Sequence, residues 1–385
     1  MSEQYAFMKR LSELYNALED ELSRKLFWAR MQYDTEPSVE SAIQFYGLAA
    51  NLNKDELELN YSWKAMFSEI LSKGNKLFLY GAGVCGRGTA ELILKAGGDF
   101  SGFCDRNAKK YSEGFCGKKV YSPEEIFTDA DRAFFVITTI DYYKEIFDIL
   151  VQNGIKENHI IPFLGNEEFV NVWSKQYFEF PELFERGTAF VDGGCYDCAD
   201  CLRFAKWCDN QYSKIFAFEP DAKNYEVCKR VSEEKKISDL ELIQAGLGKE
   251  NTTVMFAAAG GTESHTIDTS AVDNRNFDYV DFSTVPMEEI SIEALDNVVG
   301  ETKVGFIKLD VEGEEYNALV GARETLLRDK PFLAICLYHK QGDMLAVMDY
   351  LYQLVPEYHF CIRHYSTLSY DTILYASVKE FPVNN

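Results

Sequence analysis

Three short segments constrain this chain most: AFVDGGCYDC from Ala189, FAFEPD from Phe216 and FIKLDVEGEEY from Phe306. Each runs from apolar, β-prone residues into glycine, proline or carboxylates, which is how a buried parallel strand delivers a loop to the carboxyl edge of a sheet. Ligands of open α/β sheets bind at that edge. In the first segment Asp192 closes the strand, and Gly193 and Gly194 let the backbone turn tightly against a ligand. A helix is predicted from about Tyr196 to Cys208. In the second, Glu219 follows Asp192 by 27 residues, where the next strand ends. A carboxylate there can accept hydrogen bonds from both hydroxyls of a ribose. The three segments together predict a nucleoside pocket.

A dinucleotide site wants three glycines opening a helix, so that backbone N–H groups meet a pyrophosphate. Here the order is Asp-Gly-Gly-Cys-Tyr-Asp-Cys, and the acids Asp192 and Asp197 would repel phosphate. S-adenosylmethionine carries a ribose, an adenine and a cationic sulfonium, and suits an acidic pocket. The predicted cofactor contacts are Asp192, Gly193, Gly194, Tyr196, Asp197, Glu219, Pro220, Asp221 and Gly246. Methyl transfer to a weakly acidic hydroxyl also calls for a base. Asp310, Glu312 and His339 are the candidates, each placed at the carboxyl end of a core strand; His265 and His364 are weaker ones. Glu312 and Glu315 are also suited to the N-terminus of the helix that follows. Grouped acids of this kind suit Mg2+ as well, which prefers oxygen ligands, so base and ligand stay open alternatives.

From about Gly187 to Ala376 the chain resembles the FkbM family of S-adenosylmethionine-dependent methyltransferases. The resemblance rests on FVDGGCYD, FEPD, SIEALD at 291–296, IKLDVEGEEYNALVGA at 307–322 and LYHK at 337–340. It implies a class I methyltransferase fold, cofactor bound at the first two motifs, and O-methylation of a saccharide or natural-product hydroxyl. The chain departs from the family at Cys198, where a second loop glycine is general; a residue needing positive φ there is strained.

Cys195, Cys198 and Cys201 form a C-x-x-C-x-x-C run, but an iron–sulfur cluster would want a fourth cysteine three residues on and a proline, and both are missing. Cys201, Ala205 and Cys208 share one helix face, so the run reads as reduced thiols packed on the sheet.

Upstream, KLFLYGAGVCGRGTAELILKAGG from Lys76 predicts a strand, a Gly81-x-Gly83-x-x-Gly86 turn and a helix. The next strand, in FSGFCDRN, ends at Asp105, 19 residues after Gly86, where a dinucleotide fingerprint places its ribose acid. No Tyr-x-x-x-Lys pair occurs between residues 74 and 165, which argues against a short-chain dehydrogenase or epimerase. The segment resembles small nucleotide-binding domains of bacterial sugar-modifying proteins through GFCDRN and GKKVYSPEEI at 117–126. The resemblance implies a nucleotide sugar or NAD at Gly81, Gly83, Gly86 and Asp105; the turn can equally serve helix packing alone.

The expected organisation is therefore a helical segment at 1–73, a Rossmann-like nucleotide-binding domain at 74–165 and a methyltransferase domain at 166–385. The last is an α/β domain with a seven-stranded, mostly parallel sheet carrying one antiparallel edge, and an insertion at 246–300 shapes its acceptor pocket. The N-terminal helices, with Leu11, Leu14, Tyr15, Leu18, Leu22 and Leu26 three or four apart, read as a cap or a homodimerisation element. The formal charge of −23 opposes nucleic-acid backbones and anionic membrane surfaces. No apolar run of membrane-spanning length occurs, and the charged N-terminal helix is no signal peptide, so a cytoplasmic protein is expected. Two other functions compete with the methyltransferase: a nucleotide-sugar oxidoreductase built on the front domain, and a binding scaffold with a non-catalytic methyltransferase fold.

Overall fold

The chain is described from a computed structural model, which covers residues 3–36, 48, 63–95, 98–139, 142–161, 175–257, 265–266, 287–365 and 371–382. It divides into two compact units, one of Met1–Thr35, Lys175–His364 and Tyr370–Asn385, the other of Glu36–Ser174 and Tyr365–Ser369. The first elements, α1 (Glu3–Asn16) and α2 (Glu21–Thr35), belong to the former unit.

The second unit contains α3 (Trp63–Ser72), β1 (Lys76–Tyr80), α4 (Val84–Lys95), β2 (Gly102–Cys104), β3 (Val120–Tyr121), α5 (Pro123–Phe127), β4 (Ala133–Ile137), α6 (Tyr143–Gln152) and β5 (Ile160–Ile161). Its five strands are all parallel, in the order β3-β2-β1-β4-β5. Alternation along β1 builds two cores. Leu77 and Leu79 pack with Phe67 and Ile70 of α3 and Ala90 and Ile93 of α4, while Phe78 and Tyr80 pack with Ile126 of α5 and Ile146 and Leu150 of α6. Helices thus cover both faces, as a parallel sheet requires.

The first unit continues with β6 (Ala189–Gly193), α7 (Ala199–Trp207), β7 (Lys214–Phe218), α8 (Ala222–Lys235), β8 (Leu240–Ile243), β9 (Gly246–Leu247), β10 (Thr252–Ala257), β11 (His265–Thr266), β12 (Met287–Glu293) and α9 (Leu295–Val299). It ends with β13 (Val304–Leu309), α10 (Glu315–Val320), α11 (Arg323–Asp329), β14 (Phe332–Cys336), α12 (Asp343–Leu354), β15 (His359–His364) and β16 (Thr372–Ser377). Seven strands pair in the order β15-β16-β14-β13-β6-β7-β8. The lone antiparallel strand is not the edge strand expected from the sequence. It is β16, one place in, antiparallel to both β14 and β15. β16 pairs with β15 on one side and β14 on the other, so the last strand fills the place between them. The insertion forms a separate sheet, β11-β10-β12-β9, as far as its residues are described.

The N-terminal helices do not stand apart as a segment of 1–73. Arg10 of α1 pairs with Asp349 and lies over the Tyr352 ring of α12, while the Ser23 hydroxyl of α2 accepts the Ile362 N–H of β15 at 2.9 Å. Asp20, buried against Arg363 at 3.0 Å, is held below the usual carboxylate range: burial opposes its charge, but Arg363 and the Ser23 amide favour it. These helices cover a sheet edge that would otherwise present unpaired backbone groups. No helix among the described residues is long and apolar enough to cross a membrane.

Candidate functional site

Parallel pairing of β7, β6, β13 and β14 brings four loops to one carboxyl edge. After β6 the chain turns at Gly194, whose φ is +77° and whose Cβ would sit 1.9 Å from the Asp310 carbonyl oxygen, so only glycine fits. Tyr196 and Cys198 follow at φ 49° and 61°, left-handed without being glycine. Cys198 therefore adopts the conformation that the family's glycine makes easy.

Glu219, 5% exposed at the end of β7, straps this loop down. One carboxylate oxygen accepts the Tyr196 N–H at 3.0 Å and the other the Asp221 N–H at 2.9 Å. Burial pushes the carboxyl up to about 7, against those amides and the Asn224 side chain, which favour its charge. These three donors fill three of a carboxylate's roughly four acceptor sites, and among the described residues the charge is held by amide groups rather than a cation. That donor set fits a neutral polyol such as ribose.

The remaining cofactor candidates separate by role. Asp192 is fully buried and turns into the sheet, where Lys308 Nζ lies 3.0 Å from one oxygen and the Cys201 thiol 3.2 Å from the other. Burial pushes its carboxyl up to about 6, while Lys308 opposes the shift. Lys308 also donates to the Gly194 carbonyl at 2.8 Å and lies 3.6 Å from Asp200; this ion pair fixes the loop from below. Asp221 is buried and caps α8, accepting the Lys223 and Asn224 N–H groups at 2.8 and 3.1 Å. Asp197 accepts the Ala199 N–H at 2.9 Å at the start of α7. Gly193 is buried, Gly194 and Pro220 are half-buried, and Tyr196 is exposed. Gly246 starts β9, where a Cβ would meet Ile292 at 2.9 Å.

The three catalytic candidates come together. His339 is buried, with Nε2 3.3 Å from Asp310 and 3.6 Å from Glu312, and with Nδ1 2.9 Å from Glu315. Burial disfavours its charge, but Glu315, Glu312 and Asp310 raise its pKa to about 10. The neutral imidazole expected of a general base is thus an imidazolium at pH 7. Asp310 accepts the Tyr177 hydroxyl at 2.8 Å and the Tyr338 hydroxyl at 2.9 Å. Although burial opposes its charge, Lys308 and His339 hold it below the usual carboxylate range. Glu312, in a left-handed turn at φ 55° with its side chain 28% exposed, is pushed up to about 8 by burial; Asp310, Glu315 and Glu219 add to the rise and His339 opposes it. Glu315 is fully buried and accepts the Val311 N–H at 2.9 Å, turning the loop into α10. Asp310, Glu315 and His339 each bring a potential ligand atom within 4.8 Å of the others, so the group also gathers donors of the kind a divalent cation takes. His364 bonds across the hairpin to Thr372 at 3.0 Å, away from this group, and His265 lies on β11.

In the other unit, Gly81 (φ +115°) leaves β1 and Gly86 lies against it, where a Cβ would sit 1.9 Å from the Gly81 carbonyl oxygen. Around Gly83 nothing among the described residues lies within 4 Å of the corresponding position. Asp105 accepts the Ala82 N–H at 2.9 Å and the Asn107 N–H at 2.7 Å.

Lys308, Tyr177, Tyr338 and Glu315 also belong to this group, and sequence reasoning missed them as site residues. Lys308 carried a signal, since a lysine inside a buried parallel strand demands a carboxylate partner. Tyr177 lies 133 residues from Asp310, and nothing local announces that contact.

Residues 192–360 match the methyltransferase FkbM domain, so the C-terminal region carries such a domain. No curated protein matches the chain. Among solved structures, the chain is similar to the methyltransferase FkbM from Methylobacillus flagellatus KT, with 18% identity, 86% of this chain and 99% of that chain covered, and a TM-score of 0.42. It is also similar to an rRNA methylase from Streptococcus thermophilus, with 15% identity, coverage of 53% and 92%, and a TM-score of 0.33. A third is M. capricolum TrmK in complex with S-adenosyl-homocysteine, with 10% identity, coverage of 58% and 73%, and a TM-score of 0.29.

Proposed function

We propose, with the FkbM methyltransferase domain as premise, that this protein is an S-adenosylmethionine-dependent O-methyltransferase whose acceptor is a hydroxyl of a saccharide, nucleotide sugar or related small molecule. The observation that carries the reading is Glu219, buried at the end of β7 and fixed by the Tyr196 and Asp221 amides and the Asn224 side chain, which fill three of a carboxylate's roughly four acceptor sites and leave one for a ribose hydroxyl. Gly193, Gly194, Tyr196 and Asp197 line the same turn, with Gly246 behind it. When bound, S-adenosylmethionine supplies a methyl group on a sulfonium.

The acceptor's proton goes to Glu312. A carboxyl near 8 is close to the working pH, where proton transfer is most effective, and its side chain is open on one side. Asp310 is a weaker base because two tyrosine hydroxyls and His339 already occupy it. His339 orients the group: its positive charge offsets repulsion between Glu312, Asp310 and Glu315 and keeps Glu312 able to ionise. The front sheet, within residues 74–165, holds the nucleotide part of a nucleotide sugar, or NAD, at Gly81, Gly83, Gly86 and Asp105. Its carboxylate straps its loop as Glu219 does.

Incubation with methyl-labelled S-adenosylmethionine and a panel of nucleotide sugars and oligosaccharides tests this. Label should appear in a saccharide, and Glu312→Gln should slow transfer by about 10²- to 10⁴-fold while leaving S-adenosylhomocysteine affinity within about twofold. Transfer unchanged by Glu312→Gln would assign the proton to another group; failure to bind S-adenosylhomocysteine would remove the reading altogether.

A further inference from the structure

Cys195, Cys198 and Cys201 lie on the loop after β6 and the first turn of α7, and α8 brings Cys228 to them from 27 residues further along. All four are buried. The Cys195 and Cys228 sulfurs are 3.6 Å apart, and those of Cys195, Cys198 and Cys228 all lie within 4.8 Å of one another. Cys198 also hydrogen-bonds Cys201, whose thiol donates to Asp192 at 3.2 Å, and the Cys228 thiol donates to the Tyr196 carbonyl at 3.0 Å. The fourth cysteine that the C-x-x-C-x-x-C run lacks in sequence is thus supplied in space.

We infer that Cys195, Cys198 and Cys228 ligate a single Zn2+, and that the Cys201 thiol, bonded to Cys198, turns from Asp192 to complete a tetrahedral set. Zn–S bonds of about 2.3 Å place tetrahedral sulfurs about 3.8 Å apart, close to the 3.6 Å between Cys195 and Cys228 and inside the 4.8 Å that encloses all three. An iron–sulfur cluster spreads its sulfurs around several irons, whereas three sulfurs within 4.8 Å close on one ion. A second observation points the same way. Tyr196 and Cys198 are both held at positive φ, each at a cost of about 1 to 2 kcal/mol, and thiol hydrogen bonds are weak. Metal–thiolate bonds on either side of Tyr196 supply the restraint that holds such a turn. On binding, four S–H bonds break, four S–Zn bonds form and four protons leave to solvent; no electron moves, since Zn2+ is redox-inert. The N-terminus of α7, which begins at Ala199, faces the resulting negative charge. The ion would sit beneath the loop that Glu219 straps and do with thiolates what glycine does elsewhere.

The full chain, purified without chelator, should contain one zinc per chain by elemental mass spectrometry. Cys228→Ser should lose most of it, and Cys208→Ser, at the C-terminal end of α7 and outside the cluster, should keep it. Because Cys228→Ser risks misfolding, the wild-type chain is also stripped of metal, checked for its helical and strand content by circular dichroism, and titrated with Co2+. Thiolate-to-cobalt charge-transfer bands and intense tetrahedral ligand-field bands are expected, saturating at one equivalent. Metal-free wild type that remains folded and shows no such bands would overturn the site. So would full zinc in Cys228→Ser, or stoichiometric iron in place of zinc.

Discussion

Glu219 and Asp105 stand at the same place in two different sheets. Each follows the strand beside the one that opens its alternating pattern, and each accepts the N–H of the residue two further on, at 2.9 and 2.7 Å. With the other oxygen each accepts an N–H from the neighbouring strand's loop, Tyr196 at 3.0 Å and Ala82 at 2.9 Å. The loops they hold differ. Around Glu219 the turn is built from Gly194, left-handed Tyr196 and Cys198, and buried thiols; around Asp105 it is built from glycines, with Gly83 open to its surroundings. Strapping the first loop is therefore a property of this strand order, and the strap alone does not say what is bound. Chemical selectivity resides in what the strap leaves free and in the loop's own side chains.

The severest way to break the comparison is to remove the glycine each turn cannot replace. Gly194→Ala would press a Cβ to 1.9 Å from the Asp310 carbonyl at a φ of +77°. Left-handed strain and overpacking together should cost about 3 kcal/mol or more. Gly86→Ala meets the Gly81 carbonyl at the same distance. Hydrogen exchange should rise in β6 and β13 for the first variant and in β1 and β4 for the second. Exchange unchanged in either pair would show that its turn relaxes freely.

Glu219→Ala should weaken S-adenosylhomocysteine binding by about 1 to 3 kcal/mol through lost hydrogen bonds, measured calorimetrically. Asp105→Ala should leave that affinity unaltered. Equal losses would mean that the cofactor has been assigned to the wrong sheet.

With its carboxyl near 7, Glu219 is mostly protonated at pH 6 and mostly ionised at pH 8. Affinity for S-adenosylhomocysteine should rise about tenfold across that interval, because the ionised form is the better acceptor for a ribose hydroxyl. Stability should run the other way. The folded pKa values of Glu219, Glu312, Asp343 and His339 are all raised, to about 7, 8, 7 and 10. The folded chain therefore binds more protons than the unfolded one between these values and the unfolded ones. That contribution is complete below the unfolded pKa values and fades as pH climbs through the folded ones. The unfolding temperature should fall by several degrees from pH 6 to pH 9, at about 2 to 4 °C per kcal/mol. Binding and melting curves that moved together would refute the assignment of these protons.

Strand ends, their order along the chain and the convergence of Asp310, Glu312 and His339 were legible because they depend on local pattern: apolar runs broken by carboxylates and glycine. What was not legible depends on return paths. The antiparallel β16 sits inside the edge because of where the last hairpin inserts. Residues 1–35 join the later unit because Asp20 and Ser23 meet Arg363 and Ile362 some 340 residues away. His339 is a base candidate by its position after a strand, and the three carboxylates that favour its charged form converge on it only in the fold. Cys228 lay outside any spacing rule, since its distance from Cys195 is set by how α8 packs back on the sheet.

The smallest expected effect is the most discriminating for the front loop. Gly83 opens no left-handed turn, and a Cβ there would have nothing within 4 Å among the described residues. Gly83→Ala should then change stability by less than about 0.5 kcal/mol, in contrast to Gly86→Ala three residues on. If the glycine is there for packing, nothing else should change either. If it is there so that a phosphate can approach the backbone, a nucleotide sugar or NAD that binds the wild-type chain should lose affinity to a variant that melts at the same temperature. A methyl group added in open space can only be felt by a ligand that occupies that space. Isothermal titration of the wild-type and Gly83→Ala chains with the two ligands thus separates a nucleotide site from a helix-packing turn: retained affinity in the variant would leave Gly83 without a ligand role.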